Sequence, residues 1–141
     1  MAGQRGSKAI TRMQPDGLVT RRVGGHVLYS HVVIAEPGRL VMLSGQLSRD
    51  KDGQIVGKGD MAAQIRQVCE NIKVGLAAAG ATLDDMIKSN TYVTDIAEYF
   101  KHIEVRMAYF GALPASTTVE VKGLAHPDLM VEIEVMARLP D

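Results

Sequence analysis

The sequence predicts an α+β domain, a largely antiparallel sheet with two helices on one of its faces. Three observations predict it. Met130 to Ala137 alternates without a break: Val131, Ile133, Val135 and Ala137 share one side, and Met130, Glu132, Glu134 and Met136 share the other. Between Asp60 and Gly80 the period is helical instead, with Met61, Ile65, Val68, Ile72, Leu76 and Ala79 spaced by three or four. Segments with strand character outnumber the helical ones and fall in pairs at the two ends of the chain.

Residues 1–17 carry Arg5, Lys8 and Arg12 against Asp16 alone, with Gly3, Gly6 and Pro15 and no apolar period, so they read as a flexible tail before a single domain over 18–141. Val27 to Ile34 is β-branched and aromatic, and Pro37-Gly38 closes it. Leu40 to Leu43 is a short apolar run of strand length, and Asp50-Lys51-Asp52-Gly53 is a turn. Asp60 caps the first helix and Gly80 stops it. After a turn at Thr82 to Asp85, Met86 to Val93 is a third strand. Asp95 caps a second helix with Tyr99, Ile103, Met107 and Phe110 on one face, and Pro114 ends that region. Thr117 to Val121 and Met130 to Ala137 are the closing strands, giving the order ββ-α-β-α-ββ. Two helices cover one sheet face only. The other presents Met130, Met136 and apolar residues of the early strands, so the sheet is expected to self-associate.

Composition narrows the function. The 141 residues are enough for one core, and 46% hydrophobic with 23% charged residues excludes wholesale disorder. Sixteen Lys and Arg balance sixteen Asp and Glu, without the basic excess of a nucleic-acid binder. Cys69 is alone, so neither an internal disulfide nor a thiolate cluster forms, which fits a reducing compartment. No apolar run approaches a membrane span, and the expectation is a cytoplasmic protein. His26, His31, His102 and His126 lack metal-ligand spacing, and the glycines form neither a dinucleotide fingerprint nor a phosphate loop. No metal or cofactor is expected.

Several short segments remain: Tyr29-Ser30, Ser44-Gly45-Gln46, Asp52 to Gly57, Ala63-Gln64, Glu70-Asn71, Ala78 to Lys88, Tyr92 to Asp95, Pro114-Ala115 ahead of Val119-Glu120-Val121, and Glu132-Ile133-Glu134. In this order and spacing, over about residues 27–138, the chain resembles the RidA (YjgF-type) family of enamine/imine deaminase-like proteins. The resemblance implies a chorismate-mutase-like fold and a homotrimer with a central barrel and a small-molecule cleft at each subunit interface. It also implies hydrolysis of reactive enamines or imines to 2-oxo acids and ammonia, without metal or cofactor. In the active branch an arginine directly after Pro-Ala clamps the substrate carboxylate, and a glutamate of the last strand places or activates water.

Carried over by position, the resemblance assigns Tyr29 and Ser44 to the pocket and Glu132 to catalysis. The arginine position holds Ser116, and the asparagine often found in the second helix is replaced near Glu104. His31 shares a strand face with Tyr29 and is a further candidate for acid-base chemistry. A serine hydroxyl offers one neutral hydrogen bond where a guanidinium offers a charged bidentate pair. A 2-imino acid therefore loses its main anchor, and the substrate is expected to be neutral or held by another cation. The leading expectation is an enzyme with altered substrate choice. A non-catalytic ligand-binding or regulatory trimer is the alternative, and a ribonuclease ranks last because two Phe and no Trp offer little for stacking.

Overall fold

The computed structural model describes residues 9–141. Among these, eight strands and three helices follow in the order β1 (Ile10–Met13), β2 (Arg22–Val23), β3 (His26–Val27), β4 (Val32–Ala35), β5 (Leu40–Leu47), α1 (Met61–Ala78), β6 (Met86–Val93), α2 (Ile96–Lys101), α3 (Ile103–Met107), β7 (Ala115–Glu120) and β8 (Val131–Arg138). The main sheet has the strand order β5-β8-β6-β7. Its β5–β8 and β8–β6 pairs are antiparallel, whereas β6 and β7 run parallel. A parallel pair needs a crossover, and α2 with α3 supplies it. This is the α+β architecture that the strand and helix periods predict.

Strand β8 divides the sheet into two faces. Val131, Ile133, Val135 and Ala137 are buried, and their register neighbours on β6 include Val93, Thr91 and Ser89. Helix α1 closes this face with Ile65, Val68, Cys69, Ile72 and Leu76. Asp60 accepts the Ala63 N–H, which satisfies one orphan donor of the first turn. At the other end Gly80, with φ +85°, lets Ala81 N–H reach Leu76 O and Gly80 N–H reach Ala77 O, a Schellman termination. The opposite sheet face has no helix over it. Met42 stands there opposite Met136 and is 70% exposed, and Leu40 and Val119 are exposed as well.

Three expectations change. The tail predicted through Gly17 includes β1, which pairs antiparallel with β4; Ile10 and Arg12 alternate inward, and Arg12 donates to the carbonyls of Asp84 (2.9 Å) and Met86 (2.6 Å). The rest of that prediction, residues 1–8, lies outside the described residues. The strand predicted from Val27 to Ile34 is interrupted at 28–31. There the Gln14 amide replaces the ladder, donating to Tyr29 O (2.6 Å) and accepting from His31 N–H (3.0 Å). The second helix breaks in two at His102, whose φ −114° and ψ 24° leave the helical region. No helix among the described residues is long and apolar enough to cross a membrane.

Replacing Asp60 by alanine removes the α1 cap and is expected to cost about 1 kcal/mol. Urea denaturation should show a lower midpoint with an unchanged slope.

Candidate functional site

Two clefts gather most of the chemistry-bearing side chains, and they belong to opposite faces of the main sheet. The first, of about 550 Å³, is lined by Arg21, Val23, Leu28, Tyr29, Tyr99, Phe100, Arg106, Ser116 and Thr118. Ser116 and Thr118 are two apart on β7 and register with Ser89 and Thr91, both buried on the helix-covered face. Ser116 Oγ accepts from Ser89 Oγ at 2.9 Å and from Arg106 Nη2 at 3.2 Å. Its own O–H is left for a third partner.

Arg106 forms the floor of this cleft, 1% exposed. Nη1 donates to Leu28 O at 3.0 Å, and the guanidinium carbon lies 4.3 Å from the Phe110 ring centroid. Its charge reaches two buried neighbours. Burial pushes the Cys69 thiol up to about 12 and raises the Tyr99 phenol, in both cases against the lowering effect of Arg106. Cys69 is therefore a protonated core residue at neutral pH and not a nucleophile.

Tyr29 forms one wall. Its hydroxyl accepts from Arg21 N–H at 3.4 Å, and its ring meets His31 edge-on at a centroid distance of 5.0 Å. His31 turns away from the cleft: Nε2 lies 2.7 Å from Val19 O, so the ring braces the segment that carries Arg21.

The second cleft, of about 330 Å³, is lined by Gly45, Tyr92, Val121, Gly123, Leu124, Glu132 and Glu134. Glu132 lies between the buried Val131 and Ile133, so its side chain leaves the sheet on the uncovered face. Tyr92 donates its hydroxyl to Glu134; this bond, more than burial, pushes the phenol up. A β-carbon at position 45 would collide with Glu132 Oε2, so the carboxylate rests against bare backbone. Ser44 immediately precedes Gly45, at the register shift between Leu43 and Gln46, and is exposed. Among the described residues no group of three or more His, Cys, Asp and Glu could hold a metal ion.

Comparison with known proteins agrees with the fold. A family model described as Endoribonuclease L-PSP matches residues 20–139. The chain belongs to the YjgF/RidA family. A RutC family protein of Pyrococcus horikoshii is 44% identical over 111 residues, covering 77% of this chain and 85% of that protein. Protein DfrA of Myxococcus xanthus is 36% identical over 110 residues, 77% of this chain and 83% of that one. Among solved structures, YyfB of Yersinia pestis, a member of the conserved Rid protein family, superposes with TM-score 0.81 at 32% identity, covering 93% of this chain and 99% of that one. RidA from an Antarctic Psychrobacter gives TM-score 0.66 at 34% identity, over 79% and 88%.

Within this Rid-family chain the structure brings Tyr29 and Ser116 together in the first cleft and sets Glu132 and Gly45 at the second, whereas Ser44 lines neither. Glu104 enters neither. Its side chain is 81% exposed and stands 3.9 Å from His26, on the far side of α3 from Arg106. Sequence reasoning missed Arg106, although a signal was present. Tyr99, Ile103, Arg106 and Phe110, spaced by four, three and four, are the side chains of this region that are buried, whereas Met107 packs only at the edge. An apolar count passes over the arginine in favour of the methionine beside it.

Gly45→Ala should leave the fold intact, because the atom it meets ends a flexible side chain, and should displace the Glu132 carboxylate. A crystal structure of the variant would show the rotamer change. An unmoved Glu132 would mean that the close packing at Gly45 does not position it.

Proposed function

We propose that this protein is a Rid-type enzyme, assembled as a homotrimer in the cytoplasm, that hydrolyses a small enamine, imine or related unsaturated metabolite without a cofactor. One observation carries the reading: the residues that the resemblance assigns to the site lie on opposite faces of one sheet, Tyr29 and Ser116 in one cleft and Glu132 in the other. A single chain cannot bring them to one ligand. A second copy laying its uncovered face beside the first cleft would do so, and the exposed Leu40, Met42 and Val119 on that face supply apolar area for such contact.

In the assembled site Glu132 acts as base. It takes a proton from water as the oxygen adds to the C=N carbon and returns it to the nitrogen, giving a carbinolamine. The hydroxyl proton then passes by the same carboxylate to the amino nitrogen as the C–N bond breaks, leaving a carbonyl compound and ammonia. Ser116 and Ser44 contribute hydrogen bonds, and Tyr29 walls the pocket. Ser116, where the resemblance puts an arginine, takes a charged anchor off the strand and so alters substrate choice. The same replacement favours a second reading, a trimer that binds a small ligand without turning it over. A ribonuclease reading has less support, because charge is balanced at sixteen against sixteen and the second cleft places Glu132 and Glu134 where a phosphate would be repelled.

Light scattering is expected to give about three chain masses, and a stable monomer at micromolar concentration would remove the shared site. In a coupled deaminase assay on unsaturated 2-amino acids, Glu132→Gln should lower turnover about 100-fold or more while trimer mass and melting temperature persist. Equal turnover in the two forms would give Glu132 a structural role. Ligand-induced stabilisation without turnover of any compound in the wild type would select the binding protein.

A further inference from the structure

We infer that Arg106 is the anion anchor of the first cleft and takes the carboxylate of a small organic acid whose body is apolar or aromatic. The inference rests on the reading of that cleft as a small-molecule site, and it concerns binding, whether or not chemistry follows.

The charge of Arg106 is unanswered inside the chain. Its side chain is 1% exposed, yet none of the ion pairs among the described residues includes it. Its hydrogen-bond acceptors are neutral: Leu28 O, Ser116 Oγ and Met107 Sδ. Nε, buried with them, has no partner. A guanidinium removed from water without a counter-charge is costly, and a carboxylate reaching the floor of the cleft would supply both the charge and the missing acceptor.

The walls select the rest of the ligand. Arg21 and Arg106 are the charged residues of the lining, and it has no acidic member. Val23, Leu28, Tyr29 and Phe100 provide apolar and aromatic surface, and Ser116 and Thr118 add hydroxyls beside the cation. One end of the ligand must be anionic and the remainder must lie against apolar walls. The guanidinium is held in place before any ligand arrives, stacked on Phe110 and tethered to β7 and to the Tyr29 segment, so little ordering cost remains at binding. The small side chain of Ser116 is part of the device. It leaves the strand position open, and the cation approaches from the helix behind it.

The test uses the full-length, assembled protein with benzoate, its neutral isostere benzamide, and inorganic phosphate, titrated at constant ionic strength. Affinity is read by calorimetry, and the ¹⁵N–¹H resonance of Arg106 Nε, identified by its loss in Arg106→Lys, is read by NMR. Benzoate is expected to bind about ten- to 100-fold tighter than benzamide and to shift the Arg106 Nε–H signal. Arg106→Met should erase the preference, and Arg106→Met with Ser116→Arg should restore it by moving the cation from helix to strand. Should the methionine variant fail to fold, the wild-type comparison still decides. Equal affinity for benzoate and benzamide, no binding of either, or an Arg106 signal unmoved by bound benzoate would each overturn the anchor. Phosphate binding as tightly as benzoate would overturn the organic-acid assignment. Benzoate selectivity without turnover of any imine would sink the enzyme reading and leave the anchor standing. Imine turnover that survives Arg106→Met would do the reverse.

Discussion

Alternation along β8 is the constraint on which the rest of the molecule depends. The strand lies between β5 and β6, so its side chains reach both faces of the sheet at its centre. Val131, Ile133, Val135 and Ala137 must then be covered, and α1 covers them; Glu132, Glu134 and Met136 must leave on the other side. A slip of one residue would bury two carboxylates and expose the core, a cost no local rearrangement offsets. The register is therefore held tightly, and every later consequence inherits it.

One consequence is where the second helical region falls. Strand β7 runs parallel to β6, so the chain between them must cross over the covered face. That crossing carries α2 and α3, and with them Arg106, onto the side where Ser116 and Thr118 emerge. A second consequence is electrostatic. The cleft on the covered side has two arginines and no acid in its lining, and the cleft on the uncovered side has Glu132 and Glu134 and no cation. In the proposed assembly these opposite charges, which face apart within one chain, would meet between chains.

The small side chain at position 116 also has a geometric consequence. Ser116 leaves room for Arg106 Nη2 to approach to 3.2 Å, and the helix turn at His102 keeps Tyr99, Ile103, Arg106 and Phe110 on the buried side.

The sequence by itself determined the elements whose signal is local and repeated. Helix α1 with its Asp60 cap and Gly80 stop, strand β6, and the two faces of β8 all follow from periods that burial enforces residue by residue. It also sufficed, through the order of many short segments, for the family. Strand β1 was beyond its reach because four residues alternate too briefly to stand out from a glycine-bearing, basic leader. The interruption at 28–31 depends on Gln14, a partner that local propensity does not register. Tertiary structure alone decided how the candidate site residues are grouped. It alone separated Tyr29 and Ser116 from Glu132 by a sheet, turned Glu104 to solvent and placed a charged side chain in the core. A pattern of apolar residues assigns every arginine to water; only the packed neighbours of Arg106 show that the chain keeps this one inside, with its charge directed at a cleft.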